Sequence, residues 1–447
     1  MSRKTLPGIT AQLKEKLIQQ SLERRLRRTS APAAAPRAQA DGGDSAIAEQ
    51  FTRFELHPGY QQLRIMSDGA AKLGIASPFF KLHEGLAGAR TCIGGRQYLN
   101  FSSYNYLGLS GHPAVAAAAK QAIDRYGTSV SASRPVSGER PVHRELESAI
   151  AGAYGTDDAI AFVSGHATNV TTIGYLFGPK DLIVHDEFIH NSALQGILLS
   201  GARRLSFPHN DWAALDGMLA QQRRQFERVL VVVEGIYSMD GDFPDMPRFV
   251  DIKRRHKIFL MVDEAHSFGV MGARGFGIGE HFGLRPGDVD IWMGTLSKSL
   301  AGCGGYIAGE TALVEHLKFL APGFLYSVGM PPPVAAASLA ALQTMQREPE
   351  RIATLRERGA LFLQLARAAG IDTGGSAGIS VIPAIVGGSL RAARVSAALF
   401  ERGINVQPIL YPAVPEKLAR LRFFISCEHS EADIRDAVAA LHAELEK

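Results

Sequence analysis

Short apolar runs recur along the chain: Ala159–Val163, Leu182–Val184, Val229–Val233, Ile258–Val262, Ile291–Met293 and Tyr306–Ala308. Segments of helical length separate several of them, Trp212–Phe226 among them. A strand buried on both faces reads as an unbroken apolar run, because neither face meets water. The alternation predicts an α/β fold around a mostly parallel central sheet. After Pro331–Pro333 an Ala/Leu/Arg-rich pattern predicts helix to about Ala369, then short strands and a final helix over Ser430–Leu445. That pattern predicts a smaller C-terminal α+β domain.

At the other end Ile9, Leu13, Leu17, Ile18, Leu22 and Leu26 recur at helical spacing. Arg24, Arg25, Arg27 and Arg28 follow, which suits a helix C-terminus. Thr29–Ser45 is rich in Ala, Pro, Gly and Asp and reads as a flexible linker. The predicted division is 1–45 (basic helix plus linker), 46–110 (N-terminal segment), 111–333 (large domain) and 334–447 (small C-terminal domain).

Composition changes this picture little. The 447 residues are 46% hydrophobic and 21% charged, ordinary for a globular protein. No apolar run approaches the roughly 20 residues that span a bilayer. Cys92, Cys303 and Cys427 lie far apart with no C-x-x-C, so neither a disulfide framework nor a zinc knuckle is expected. Cysteine usage fits a reducing cytoplasm, and no metal is expected. The net charge of +4 is uneven: residues 1–28 carry eight Lys/Arg against two Glu, so the remainder sums to about −2. The basic tail offers no nucleic-acid footprint on the folded part.

Polar residues cluster just past the apolar runs. In a parallel sheet these positions share the carboxyl edge, where ligands bind. Asp263 ends one run, and Lys298 lies just past another. Glu234 and Ser238 follow a third, and Ser164-Gly165-His166 follows a fourth. A lysine amine can form an imine with the aldehyde of pyridoxal phosphate (PLP), and an aspartate can keep its pyridine nitrogen protonated. Ser164-Gly165-His166 precedes a predicted helix over Ala167–Phe177, whose free N–H groups suit a phosphate. His190 has a ring that can stack on the pyridine, and His266 can reach the phenolic oxygen. Arg422, the one cation inside the predicted strand Leu421–Ile425, suits a carboxylate. Asp-Glu-Ala-His (263–266) also occurs in helicases, but no G-x-x-x-x-G-K-[ST] loop exists here.

Eight motifs then occur in order. They are Asn-Tyr-Leu-Gly-Leu (105–109), Ser-Gly-Glu-x-x-x-His-x-x-Leu-Glu (137–147), Ser-Gly-x-x-x-Asn (164–169) and His-Asn-Ser (190–192). Glu-Gly-Ile-Tyr-Ser-Met-Asp-Gly-Asp (234–242), Asp-Glu-Ala-His-Ser-x-Gly (263–269), Gly-Thr-Leu-Ser-Lys-Ser (294–299) and Arg-x6-His (422–429) follow. Over residues 95–440 the chain resembles the α-oxoamine synthases, fold-type-I PLP enzymes that include 8-amino-7-oxononanoate synthase and serine palmitoyltransferase. The resemblance implies that Lys298 carries the cofactor and shuttles the Cα proton, Asp263 pairs the pyridine nitrogen, His190 stacks and His266 contacts the phenolic oxygen. Ser238, Thr295 and the backbone of Gly165 and His166 would bind phosphate. Arg422 would hold the substrate carboxylate, with Asn105 nearby. Ser327 would reach the phosphate from a neighbouring subunit, so a homodimer is implied.

The implied reaction condenses a small amino acid (glycine, alanine or serine) with an acyl thioester, on CoA or a carrier protein. It releases thiol and CO2 and leaves an α-amino ketone. Many relatives have Gly-Ser-Gly-Gly-Ser-Arg where this chain has Thr-Ser-Val-Ser-Ala-Ser-Arg (128–134), which places Ser133 near the amino-acid side chain. With Leu-Ser-Lys-Ser, this segment is more similar to synthases attached to polyketide or fatty-acyl assembly lines. The basic helix over 1–28 would suit docking to an acidic acyl carrier protein. An aminotransferase of the same fold is the alternative; a non-catalytic partner subunit is disfavoured because Lys298 is present.

Overall fold

The computed structural model describes residues 47–72, 74 and 77–447. The basic helix over 9–28 and its linker lie outside the described residues. The chain divides into two compact units after Phe80. The described part of the first holds two single 3-10 turns (Glu49–Phe51, Phe54–Leu56) and the helix Pro58–Lys72.

Thirteen strands lie among the described residues of the second unit. The first two, β1 (Arg90–Ile93) and β2 (Arg96–Asn100), pair antiparallel around Gly94-Gly95. Both glycines have positive φ (58° and 77°), as the tight hairpin turn requires. The large sheet follows: β3 (Asp158–Phe162), β4 (Leu182–Asp186), β5 (Arg203–Phe207), β6 (Val229–Glu234), β7 (Phe259–Asp263), β8 (Ile291–Thr295) and β9 (Gly305–Gly309). Its spatial order is β3-β9-β8-β7-β6-β4-β5, and only β9 runs antiparallel to its neighbours. The remaining strands are β10 (Val381–Ile385), β11 (Ile404–Asn405), β12 (Gln407–Ile409) and β13 (Arg420–Phe424). β13 sits between β10 and β12 in an antiparallel sheet, and β11 joins β2.

The apolar runs became strands because the sheet is covered on both faces. Along β6, Val229, Val231 and Val233 enter one core, while Leu230 and Val232 enter another. This is the two-residue alternation of a pleated strand with no wet side. The predicted helix 334–369 is two helices, Pro332–Arg347 and Glu350–Ala368. Pro349 divides them, because a proline disfavours helical backbone in the residue before it.

Six strands of the large sheet point their carboxyl ends at one edge. That edge receives Ser164 from β3, Glu234 from β6, Asp263 from β7 and Lys298 from β8. Arg422 arrives from β13, where it pairs with Pro383 and Gln407.

Candidate active site

A cavity of about 330 Å³ opens at this carboxyl edge. Ser164, Gly165, His166, His190, Glu234, Ser238, Asp263, His266, Thr295, Lys298 and Arg422 all line it. Each is a residue singled out from the sequence.

The helix Gly165–Leu176 begins at the cavity, and Ser164 caps it by accepting from the N–H of Ala167. Among the described residues the N–H groups of Gly165 and His166 have no backbone partner, which suits an anion. A Cβ on Gly165 would lie 2.9 Å from Thr295 Oγ1, so glycine lets the helix start close against β8. The Thr295 hydroxyl donates to the Gly304 carbonyl (2.9 Å) and accepts from the N–H of Ser297 (3.2 Å), which sets the turn that presents Lys298.

Lys298 lies at the cavity wall, with Nζ 5.5 Å from the centre of the Tyr104 ring. Burial pulls its amine down to about 8, against the opposing pull of Asp263 and Glu234; Arg422 adds to the lowering. The lowering raises the neutral fraction near neutral pH far above that of an ordinary lysine, which favours this amine as a nucleophile. Asp263 Oδ1 accepts from the N–H of Ala265 (3.0 Å) and Oδ2 from Asn169 Nδ2 (2.8 Å).

The two histidines are held neutral. Burial, with Lys298, His166 and Arg422 nearby, keeps His190 below the usual imidazole range despite Asp263. Burial, Lys298, Arg422 and His190 push His266 well below it. The Nδ1 of His266 is 2.8 Å from the Tyr106 hydroxyl, which leaves Nε2 for a ligand. Glu234, register partner of Asp263, is pushed up by burial and by that neighbouring carboxylate. Arg422 Nη1 donates to the Ser238 carbonyl (3.0 Å), while its Nε is buried with no hydrogen-bond partner among the described residues.

These residues fit PLP on features of the site itself: an amine, a carboxylate braced by two donors, a neutral ring and unpaired N–H groups at a helix start. Asn105 and Ser133 lie elsewhere, and Ser327 was expected only from a neighbouring subunit. Asn105 spends its amide on the Ala87 carbonyl (2.9 Å) and the N–H of Ser110 (3.2 Å), and its neighbour Tyr104 lines the cavity instead. Ser133 forms an antiparallel bridge with Val328, and Ser327 is next to it. Neither serine lines the cavity of its own chain. The structure also adds residues that sequence reasoning did not single out. Asn169 and Ser192 stood inside quoted motifs, and Tyr104 stood one residue before one.

The sequence profile of the aminotransferase class I and II family matches residues 96–441. An 8-amino-7-oxononanoate synthase of Geobacter sulfurreducens is 42% identical over 361 residues, 80% of this chain and 91% of that one. Another, from Symbiobacterium thermophilum, is 38% identical over 351 residues, 78% of this chain and 89% of that one. Among solved structures, serine palmitoyltransferase of Sphingomonas wittichii superposes with a TM-score of 0.83 at 28% identity, covering 86% of this chain and 97% of that one. A serine palmitoyltransferase structure described as holding PLP as an internal aldimine superposes with the same TM-score and coverage.

Proposed function

The chain belongs to the α-oxoamine synthases, C-acyltransferases of the class I and II aminotransferase fold that use PLP, and from that membership we propose that it joins a small amino acid to an acyl thioester. The products are an α-amino ketone, CO2 and free thiol. One observation carries the reading: Lys298, Asp263 and Arg422 reach a single cavity from three different strands.

When bound, the cofactor supplies an aldehyde for amines and a ring that accepts an electron pair from the adjacent carbon. The protein's groups do the rest. The helix start at Gly165 and His166, with the hydroxyl of Ser238, would hold the phosphate; Thr295 lies beside it and would donate only by giving up its bond to the Gly304 carbonyl. Asp263 would pair the pyridine nitrogen, and the neutral His190 ring would stack on the pyridine. The Lys298 amine would take the Cα proton and later return one. Arg422 fixes the amino-acid carboxylate through its unpaired Nε, so the bonds that break stay aligned.

Glycine, alanine or serine fits the acceptor side, with the donor on CoA or a carrier protein. The basic segment 1–28 suits docking to an acidic carrier. Ser133 and Ser327 lie together beside exposed Tyr326 and Val328. That placement supports a homodimer in which both serines serve the neighbour's cavity.

The test is a panel of amino acids and thioesters, followed by thiol release and mass detection. The expected result is thiol, CO2 and amino ketone in equal amounts. A keto acid without thiol would assign aminotransfer instead, and thiol without decarboxylated product would assign hydrolysis.

A further inference from the structure

Asp263 ends β7 and His190 caps the helix Asn191–Ser200, and two side chains join them. Asn169 Nδ2 lies 2.8 Å from Asp263 Oδ2 and 2.9 Å from Ser192 Oγ. Ser192 Oγ lies 2.7 Å from His190 Nδ1. Donor counting fixes the hydrogens. A carboxylate only accepts, so the Asn169 atom facing it is the amide nitrogen. The second N–H of that amide goes to Ser192 Oγ. The hydroxyl therefore turns its own hydrogen to His190 Nδ1. The backbone N–H of Ser192 donates to the same ring nitrogen at 3.2 Å.

Two donors on Nδ1 leave Nε2 as the protonated nitrogen of a neutral ring. The imidazole also caps the helix Asn191–Ser200, whose positive N-terminal end disfavours a cation. Asn169 and Ser192 are both 1% exposed, so water does not compete for these bonds. Asn169 Oδ1 is buried without a hydrogen-bond partner among the described residues. An amide kept for packing alone would satisfy both its ends.

We propose that Asn169 and Ser192 are positioning residues, forming a relay Asp263–Asn169–Ser192–His190 that fixes the direction of the carboxylate and holds His190 as its Nε2–H tautomer. The relay sets the two groups that face the cofactor ring as one unit. It rests on the cofactor reading above and is independent of which substrates react. The charged or titratable groups facing His190 are Asp263, Lys298, His166, Arg422, His266 and Glu234, and none of them is altered in the test.

The test is long-range 15N–1H NMR of His190 in the cofactor-free protein, with the signal assigned through His190→Gln. The wild type is expected to carry its hydrogen on Nε2. In Asn169→Leu and in Ser192→Ala the titration midpoint of His190 should rise by about one pH unit, the scale of one lost hydrogen bond. The double variant should rise no further than the larger single one, because the relay acts as a unit. After loading with PLP, the pH at which the lysine-bound cofactor changes absorbance should move in the same variants. A role in packing alone would lower Tm and leave the His190 titration in place, which would overturn the proposal. An Nδ1–H tautomer in the wild type, or additive shifts, would also overturn it. Should neither variant fold, the wild-type tautomer alone decides. Failure of the condensation assay would leave this result standing, so the two readings fail separately.

Discussion

The floor and the rim of the cavity are built differently. The floor comes from the ends of β3, β6, β7 and β8, and its groups are bonded to one another within one chain. Asp263 is braced from Asn169 and Ala265, and Thr295 sets the turn of Lys298. The rim was expected to include Asn105 and Ser133, with Ser327 reaching in from a neighbouring subunit, yet Asn105 and Ser133 do not line the cavity of their own chain. Asn105 ties down a turn, and the two serines sit together on another surface. The contrast follows from backbone geometry. A parallel sheet brings its strand ends to one edge whatever the connecting segments do. Nothing comparable fixes loops, whose placement depends on what packs over them.

The floor should break hardest. Lys298→Ala should lower turnover by at least about a thousandfold, since no other amine replaces it. Turnover within tenfold of wild type would remove Lys298 from the reaction. Arg422→Lys comes next. It keeps a cation but loses the planar guanidinium, so KM for the amino acid should rise about tenfold to a hundredfold with a smaller change in kcat. An unchanged KM would show that the carboxylate binds elsewhere.

The rim calls for a different experiment. If Ser327 serves the neighbour's cavity, Lys298→Ala and Ser327→Trp chains are each inactive alone. Mixed by refolding, they should recover about a quarter of wild-type activity, because half the dimers are mixed and each has one intact site. No recovery would confine each rim to its own chain.

The smallest expected effect lies beside the floor. His209 bridges Asp186 (2.9 Å) and Asp242 (2.8 Å), tying the loop of His190 to the loop of Ser238. Burial opposes its charge, but the hydrogen bonds to the two carboxylates raise it to about 10. A raised folded value means that its stabilisation is complete below about 6.5 and is lost as pH climbs through 10. Tm should therefore fall between pH 7 and 10 more steeply in the wild type than in His209→Gln, by a few degrees. Parallel pH profiles would show that His209 is uncharged.

Much of the floor was legible in the chain. Runs such as Val229–Val233 are apolar because both faces are covered, so periodicity alone marked them. β5, Arg-Arg-Leu-Ser-Phe, was not legible. It is an edge strand that buries only Phe207 fully, so its composition reads as surface. Asn169 was also out of reach. Its partner Asp263 lies 94 residues away, and no local pattern reports a bond of that span. The resemblance implies Asn105 near the carboxylate, whereas the fold turns its amide to Ala87 and Ser110 and leaves Tyr104 on the cavity wall.

The most direct test of the account is reduction of the PLP-loaded protein with borohydride, followed by peptide mass spectrometry. The expected result is a single pyridoxyl adduct on Lys298 and loss of the visible absorbance. An adduct on another lysine, or a protein that binds no PLP, would contradict it.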